Sequence, residues 1–286
     1  MIRIIDTYAE ITLLFEDGKF SIDKWKTYIN KIYSNSAELF LFDMKECLDN
    51  GKYSYEKDIL PILIDVYENS KLEMLHESFC KVVNQLNQKV LDTFGKELNV
   101  DIVLYMGLCN GAGWVTNING IDTVLLGVEK IIELDWCDIN AMYGLIYHEL
   151  GHVYQKQYGT LERAFSDSKS EFLWQLFTEG IAMYFEQVLV GDLNFYHQDA
   201  NDWKAWCDDH FLQIKTDFHD DLDTMTKQNQ RYFGDWCRYH EKGDVGYYLG
   251  ARFIQHLVKE HSIDELINYD LPRVSELFSE FMEQCV

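Results

Sequence analysis

The stretch YHELGHVYQK, residues 147–156, places histidines at 148 and 152 with a glutamate at 149. On a helix, residues i and i+4 project from one face about one turn apart, so both imidazoles can reach a single tetrahedral cation. Glu149 lies about 100° around such a helix from His148, within reach of a water on that cation without taking a coordination position. Two nitrogen ligands and one acid are the parts of a hydrolytic centre: the cation lowers the pKa of water and the carboxylate takes the proton. The plainer alternative is a solvated amphipathic helix. Leu145, Ile146, Leu150 and Val153 surround the motif. A helix apolar on most sides is buried, and buried His and Glu need partners.

Catalytic zinc usually keeps three protein ligands and one open position. The extended motif that continues with a third histidine would place it at 158, where Tyr158 stands. A glutamate on a following helix is the alternative, and SKSEFLWQLFTEGIAMYFEQ supplies candidates. Glu179 sits amid Phe177, Ile181 and Ala182, where an acid is costly unless it meets a cation. Gly180 beside it weakens the helix by about 1 kcal/mol relative to Ala, which suggests close approach by another backbone. Glu171 and Glu186 compete. Glu171 reads as the partner of Ser168 in a capping box, and Glu186 as a solvated residue near the helix end. Glu179 is therefore the expected third ligand.

These side chains need helices to carry them. DINAMYGLIYHELGHVYQKQYG reads as one helix, capped by Asp138 and ending before Gly159. The first third reads as helix after helix: SIDKWKTYINKIY, SAELFLFDMKECL and ENSKLEMLHESFCKVVNQLNQKVLDTFG have apolar residues at three- and four-residue intervals. Near Asn99 the texture changes. NVDIVLYMGL and IDTVLLGV are rich in β-branched residues, and Asn119-Gly120 is a turn signal between short strands. The expected fold class is α+β, mainly helical with a small antiparallel sheet. The expected organisation is a helical N-terminal region, 1–97, and a domain over 98–286, with nothing in the composition that demands two independent units rather than one.

Composition excludes other classes. The formal net charge of -23 repels phosphate backbones and anionic membrane surfaces, so no nucleic-acid partner is expected. No run is long and apolar enough to span a bilayer, and the first twenty residues lack a secretory layout. Seven cysteines without CxxC spacing indicate neither a disulfide framework nor a cysteine zinc site. Reduced thiols and a cytoplasmic location are the expectation. His197, His210 and His219 lie in an acidic stretch whose spacing suits a solvated helix better than a second metal site. PRVSELFSEFMEQ reads as a closing helix with Leu277, Phe278 and Phe281 facing inward.

The H-E-x-x-H helix followed by TEGIAMYF resembles the gluzincin zinc metallopeptidases, including thermolysin-like enzymes and the alanyl aminopeptidase group, and predicted zinc proteases with an E-G-[LI]-A segment. The resemblance runs over roughly residues 99 to 260 by order of elements, with tight identity only in short stretches. It implies a zincin-like catalytic domain holding Zn2+ on His148, His152 and Glu179, with Glu149 as base. The interval from His152 to Glu179 is longer than in thermolysin-like enzymes, which implies an extra loop around GTLERAFSDSKS. Met183 stands where the family has a further acid, leaving open what orients the histidines. GDVGYYLGARFIQHLVKEH resembles the family's Y-x-x-G segment, in which a tyrosine hydroxyl donates to the developing oxyanion. Tyr247 and Gly250 are the matching pair, with Tyr248 and His240 as alternative donors and ordinary aromatic packing as the bland reading. CNGAGWVTN resembles in order the edge strand to which substrate adds, although it also reads as a glycine-rich hairpin loop.

The expected function is zinc-dependent hydrolysis of a peptide or small-protein substrate, through a water activated by Glu149. The alternative is a non-catalytic interaction protein that keeps the scaffold with a structural or vestigial metal site. Oligomeric state, substrate sequence and exo- versus endopeptidase action have no sequence signature here.

Overall fold

The computed structural model describes residues 1–49, 51, 53–234 and 237–284, with backbone alone at 43 and 47. The fold is α+β, mainly helical with a small mixed sheet. The chain divides into two compact units, Met1–Glu149 and Leu150–Val286, and one helix runs through the boundary.

The first unit runs β1 (Ile2–Asp6), α1 (Tyr8–Ile11), a hairpin of β2 (Phe15–Glu16) and β3 (Lys19–Phe20), then α2 (Ile22–Ile32), α3 (Ala37–Asp49), α4 (Leu60–Asp65), α5 (Lys71–Val83) and α6 (Leu86–Phe94). It continues through β4 (Val100–Tyr105), β5 (Gly113–Ile118), β6 (Ile121–Gly127), α7 (Val128–Glu133) and the start of α8 (Ile139–Tyr158). The sheet order is β1-β4-β6-β5. β4 has a strand on each side and every residue buried, which is why it reads as an almost unbroken apolar run.

The sheet is not antiparallel throughout. β1 and β6 both pair with β4 in parallel, with Ile2 opposite Val100 and Val100 opposite Asp122. Within this sheet β5 and β6 pair antiparallel, joined at Asn119-Gly120, where both residues have positive φ as a tight hairpin turn requires. The turn therefore links IDTVLLG to GWVTNI and not to the first apolar run. β1 has no local signature: it is five residues, IRIID, whose partner lies far along the chain. An Arg3–Asp101 ion pair fixes its register, and Tyr33 Oη donates to the same Asp101 carboxylate at 2.9 Å.

Local signals place the helices well. Ser21 caps α2, accepting from Lys24 N, and Asp138 accepts from Asn140 N at 2.8 Å at the head of α8. The long stretch 68–95 is two helices, because Gln85 takes a left-handed conformation with φ 61°. Two residues outside regular helix there turn the chain without any Gly or Pro to announce it.

The second unit contains the end of α8, then α9 (Ser168–Val190), α10 (Trp203–Asp209), α11 (Phe211–Asp221), α12 (Val245–Leu257), α13 (Ile263–Leu266) and α14 (Leu271–Glu283). The cap of α9 is Asp167, whose carboxylate accepts from Ser170 N at 2.8 Å, and not the Ser168–Glu171 box. Glu171 instead pairs with Lys227 at 3.2 Å on the surface. The acidic stretch of residues 197–223 is not one solvated helix. It breaks at His210, and Trp203, Cys207, Phe211, Ile214 and Phe218 are buried. Leu277, Phe278 and Phe281 of α14 face the core as expected. Lys215 is buried and donates to the carbonyls of Phe281 and Gln284 at 3.0 and 2.8 Å, satisfying acceptors at the C-terminal end of α14.

No described helix is long and apolar enough to cross a membrane. Cys80, Cys109, Cys137, Cys207 and Cys237 are in no disulfide among the described residues, while the Cys47 side chain and Cys285 lie outside them.

Candidate metal centre

His148 and His152 stand one turn apart on α8, an unbroken helix, so their spacing follows from helix geometry alone. What brings a carboxylate to them is packing between α8 and α9. A Cβ on Gly151 would lie 2.7 Å from the Cα of Ala182, so the helices touch backbone to backbone at that point. His152, next to Gly151, then meets Glu179 three residues before Ala182: Nε2 lies 3.2 Å from Oε2. One donor atom from each of His148, His152 and Glu179 lies within 4.8 Å of the other two.

The glycine of HELGH was not singled out by its spacing, yet it sets the distance between these helices. Its signal was the small residue inside an otherwise bulky apolar helix, matched by the Gly-Ile-Ala run on α9. Gly180 has the same role on the far side. A Cβ there would lie 2.4 Å from the carbonyl oxygen of Gly250 on α12. α9 is therefore held at close range by small residues on both sides of Glu179.

Burial grades across the cluster. His148 is 5% exposed, whereas the side chains of His152 and Glu179 each retain 15%. A carboxylate and imidazoles in such a partly dry place gain from a shared cation that offsets their desolvation. The donor set fits zinc: two imidazole nitrogens and one carboxylate oxygen, with no further His, Cys, Asp or Glu in the cluster among the described residues.

Glu149 is 7% exposed and faces β5, within the same unit. A Cβ on Gly113 would lie 2.9 Å from Glu149 Oε1 and 2.7 Å from Leu145 Cδ1. β5 is an edge strand of the sheet, and its first residue must be glycine for α8 to lie this close. The loop before β5 is organised by a carboxylate that sequence reasoning passed over. Glu129 is 1% exposed and accepts from the backbone N–H of Gly107 at 2.8 Å and of Cys109 at 3.0 Å. Burial pushes its pKa up to about 7 against the lowering effect of those hydrogen bonds. Its only sequence signal was an acid in the first turn of a short helix, a position that a helix dipole alone would explain.

The remaining candidates separate. Tyr247 is half-buried on α12, its ring edge-on to Phe233 at 5.7 Å, one turn before Gly250. Tyr248 is 1% exposed and donates its hydroxyl to Asp208 at 2.7 Å. Burial, then that hydrogen bond, raises its phenol well above the ordinary range, so its proton is committed. His240 is exposed on a turn with φ 46°, 3.5 Å from Gln213 Nε2. Glu186 is not solvated: it is fully buried and bound to His197 Nδ1 at 3.0 Å, which removes it as a rival ligand.

No protein-family model, curated protein or solved structure matches this chain. The functional reading therefore rests on the site itself.

Proposed function

We propose that this protein is a zinc-dependent peptide hydrolase of gluzincin type. The observation that carries the reading is the convergence of one donor atom each from His148, His152 and Glu179 within 4.8 Å. Three protein donors are the count of a catalytic zinc site, where structural sites close all four positions. When bound, zinc supplies Lewis-acid chemistry, bringing the pKa of water to about 7 and polarising a carbonyl.

Each residue then has a task. His148, His152 and Glu179 hold the ion. Glu149 takes a proton from the attacking water and passes it to the leaving amine. As the outermost strand of the sheet, β5 has an edge that would offer main-chain hydrogen bonds to an extended peptide, and its first residue, Gly113, lies against Glu149. The Tyr247 hydroxyl donates to the carbonyl oxygen as charge develops there.

The test is a peptide-library digest read by mass spectrometry, with and without chelator, alongside elemental analysis of variants. His152→Ala and Glu179→Ala are expected to lose stoichiometric zinc. Glu149→Gln should retain zinc and lose turnover by about 10²- to 10⁴-fold. Chelator-insensitive cleavage, or full turnover by Glu149→Gln, overturns the reading. Zinc bound with no cleavage of any peptide would favour the non-catalytic scaffold.

A further inference from the structure

We infer that Asp6, His76 and Cys80 form a second metal site, for a divalent transition-metal ion of zinc type, on the first unit. The donors come from two elements. His76 and Cys80 are i and i+4 on α5, so both project from one face. Asp6 is the last residue of β1, and the parallel pairing of β1 with β4 sets its place. One nitrogen, His76 Nε2, lies 2.7 Å from Asp6 Oδ2 and 3.4 Å from Cys80 Sγ, and all three donors lie within 4.8 Å of one another.

That shared nitrogen decides between two chemistries. A thiol nucleophile relay needs the carboxylate on one ring nitrogen and the thiol on the other. Here carboxylate and thiol meet at the same nitrogen, so the three groups converge on a point as ligands do. Zinc bonds of about 2.0–2.3 Å in a tetrahedron put donor atoms roughly 3.3–3.7 Å apart. The His76–Cys80 separation already suits that, and the Asp6–His76 contact has to open by about half an ångström.

Supporting contacts orient the donors. Asp6 Oδ1 accepts from Tyr8 N at 3.0 Å, which turns Oδ2 toward the histidine. The Tyr8 ring stacks flat on His76, with centroids 3.9 Å apart and planes within 1°. The site is open to solvent: His76 and Asp6 side chains are 25% and 35% exposed, and Cys80 is exposed. Mixed N, S and O donors select zinc over calcium or magnesium, which take oxygen. Binding displaces the Cys80 thiol proton to solvent and leaves a fourth position for water.

Cobalt(II) substitution in the full chain tests this separately from the hydrolase reading, because the His148/His152/Glu179 cluster contains no sulfur. A thiolate-to-cobalt charge-transfer absorption is expected in the wild type and absent in Cys80→Ser. Zinc should protect Cys80 from alkylation, read on its peptide by mass spectrometry, and Asp6→Asn should weaken that protection about tenfold or more. The inference is overturned if the wild type shows no charge-transfer band, if Cys80→Ser keeps it, or if zinc leaves the alkylation rate of Cys80 unchanged.

Discussion

Gly180 and Gly250 meet where α9 and α12 cross, so closely that neither position has room for a side chain. A Cβ on Gly180 would lie 2.4 Å from the Gly250 carbonyl oxygen, and one on Gly250 would lie 2.7 Å from the Leu176 carbonyl oxygen. Backbone atoms cannot rotate away as a side-chain tip can. Gly180→Ala gains about 1 kcal/mol in helix propensity but forces the helices apart, an overpacking cost of about 1–3 kcal/mol. The expected result is a lower melting temperature together with weaker zinc binding, because Glu179 moves with the backbone. Calorimetry with and without added zinc measures both.

Gly113→Ala acts on a different part of the site. Its Cβ would strike Leu145 and the carboxylate of Glu149. The contacts are side-chain ends, so a stability loss of only about 1 kcal/mol is expected. Turnover should fall at least about tenfold, since a base displaced by an ångström loses its aim. Zinc content should stay stoichiometric, and steady-state kinetics beside elemental analysis distinguish the two effects.

Tyr247 and Tyr248 are neighbours with opposite expected phenotypes. Tyr247→Phe should lower kcat by about 10²-fold with zinc and stability retained, as loss of an oxyanion donor does. Tyr248→Phe removes a part-buried donor to Asp208, whose carboxylate stays solvated and paired with Lys204, and should cost about 0.5–1.5 kcal/mol of stability. Turnover by Tyr248→Phe should remain near the wild-type value. Chemical denaturation and peptide hydrolysis on the same preparations check the pair.

Glu129 ties stability to pH. Its pKa rises from an ordinary 4.5 to about 7 on folding, because burial disfavours the carboxylate. Between these values the folded state binds more protons than the unfolded one, so stability falls as pH rises. The Glu129 contribution is thus present in full below pH 4.5 and is lost as pH rises through about 7. Relative to Glu129→Gln, which does not titrate, wild-type stability should decline by up to about 1.4 kcal/mol per pH unit in that window. Urea unfolding of both proteins from pH 4.5 to 8 measures the slope, and parallel curves would refute the assignment.

The HELGH spacing determined by itself that two imidazoles share a helix face, because 3.6-residue periodicity acts within one element and needs no partner. The same holds for the Asp138 cap and the Asn119-Gly120 turn, whose chemistry is settled within a few residues. Glu179 was legible for a related reason: an acid in an apolar helix must be explained by something outside the helix. Tertiary structure alone decided that the helices pack so as to bring His152 Nε2 to 3.2 Å from the Glu179 carboxylate. Whether β1 pairs with β4, whether Glu186 is wet or bound to His197, and whether Tyr248 can donate all depend on residues distant in sequence. Gly151 against Ala182 and Gly180 against Gly250 show the physical reason: the separation of two helices is set by the smallest residues at their crossing, and which residues cross is a property of packing.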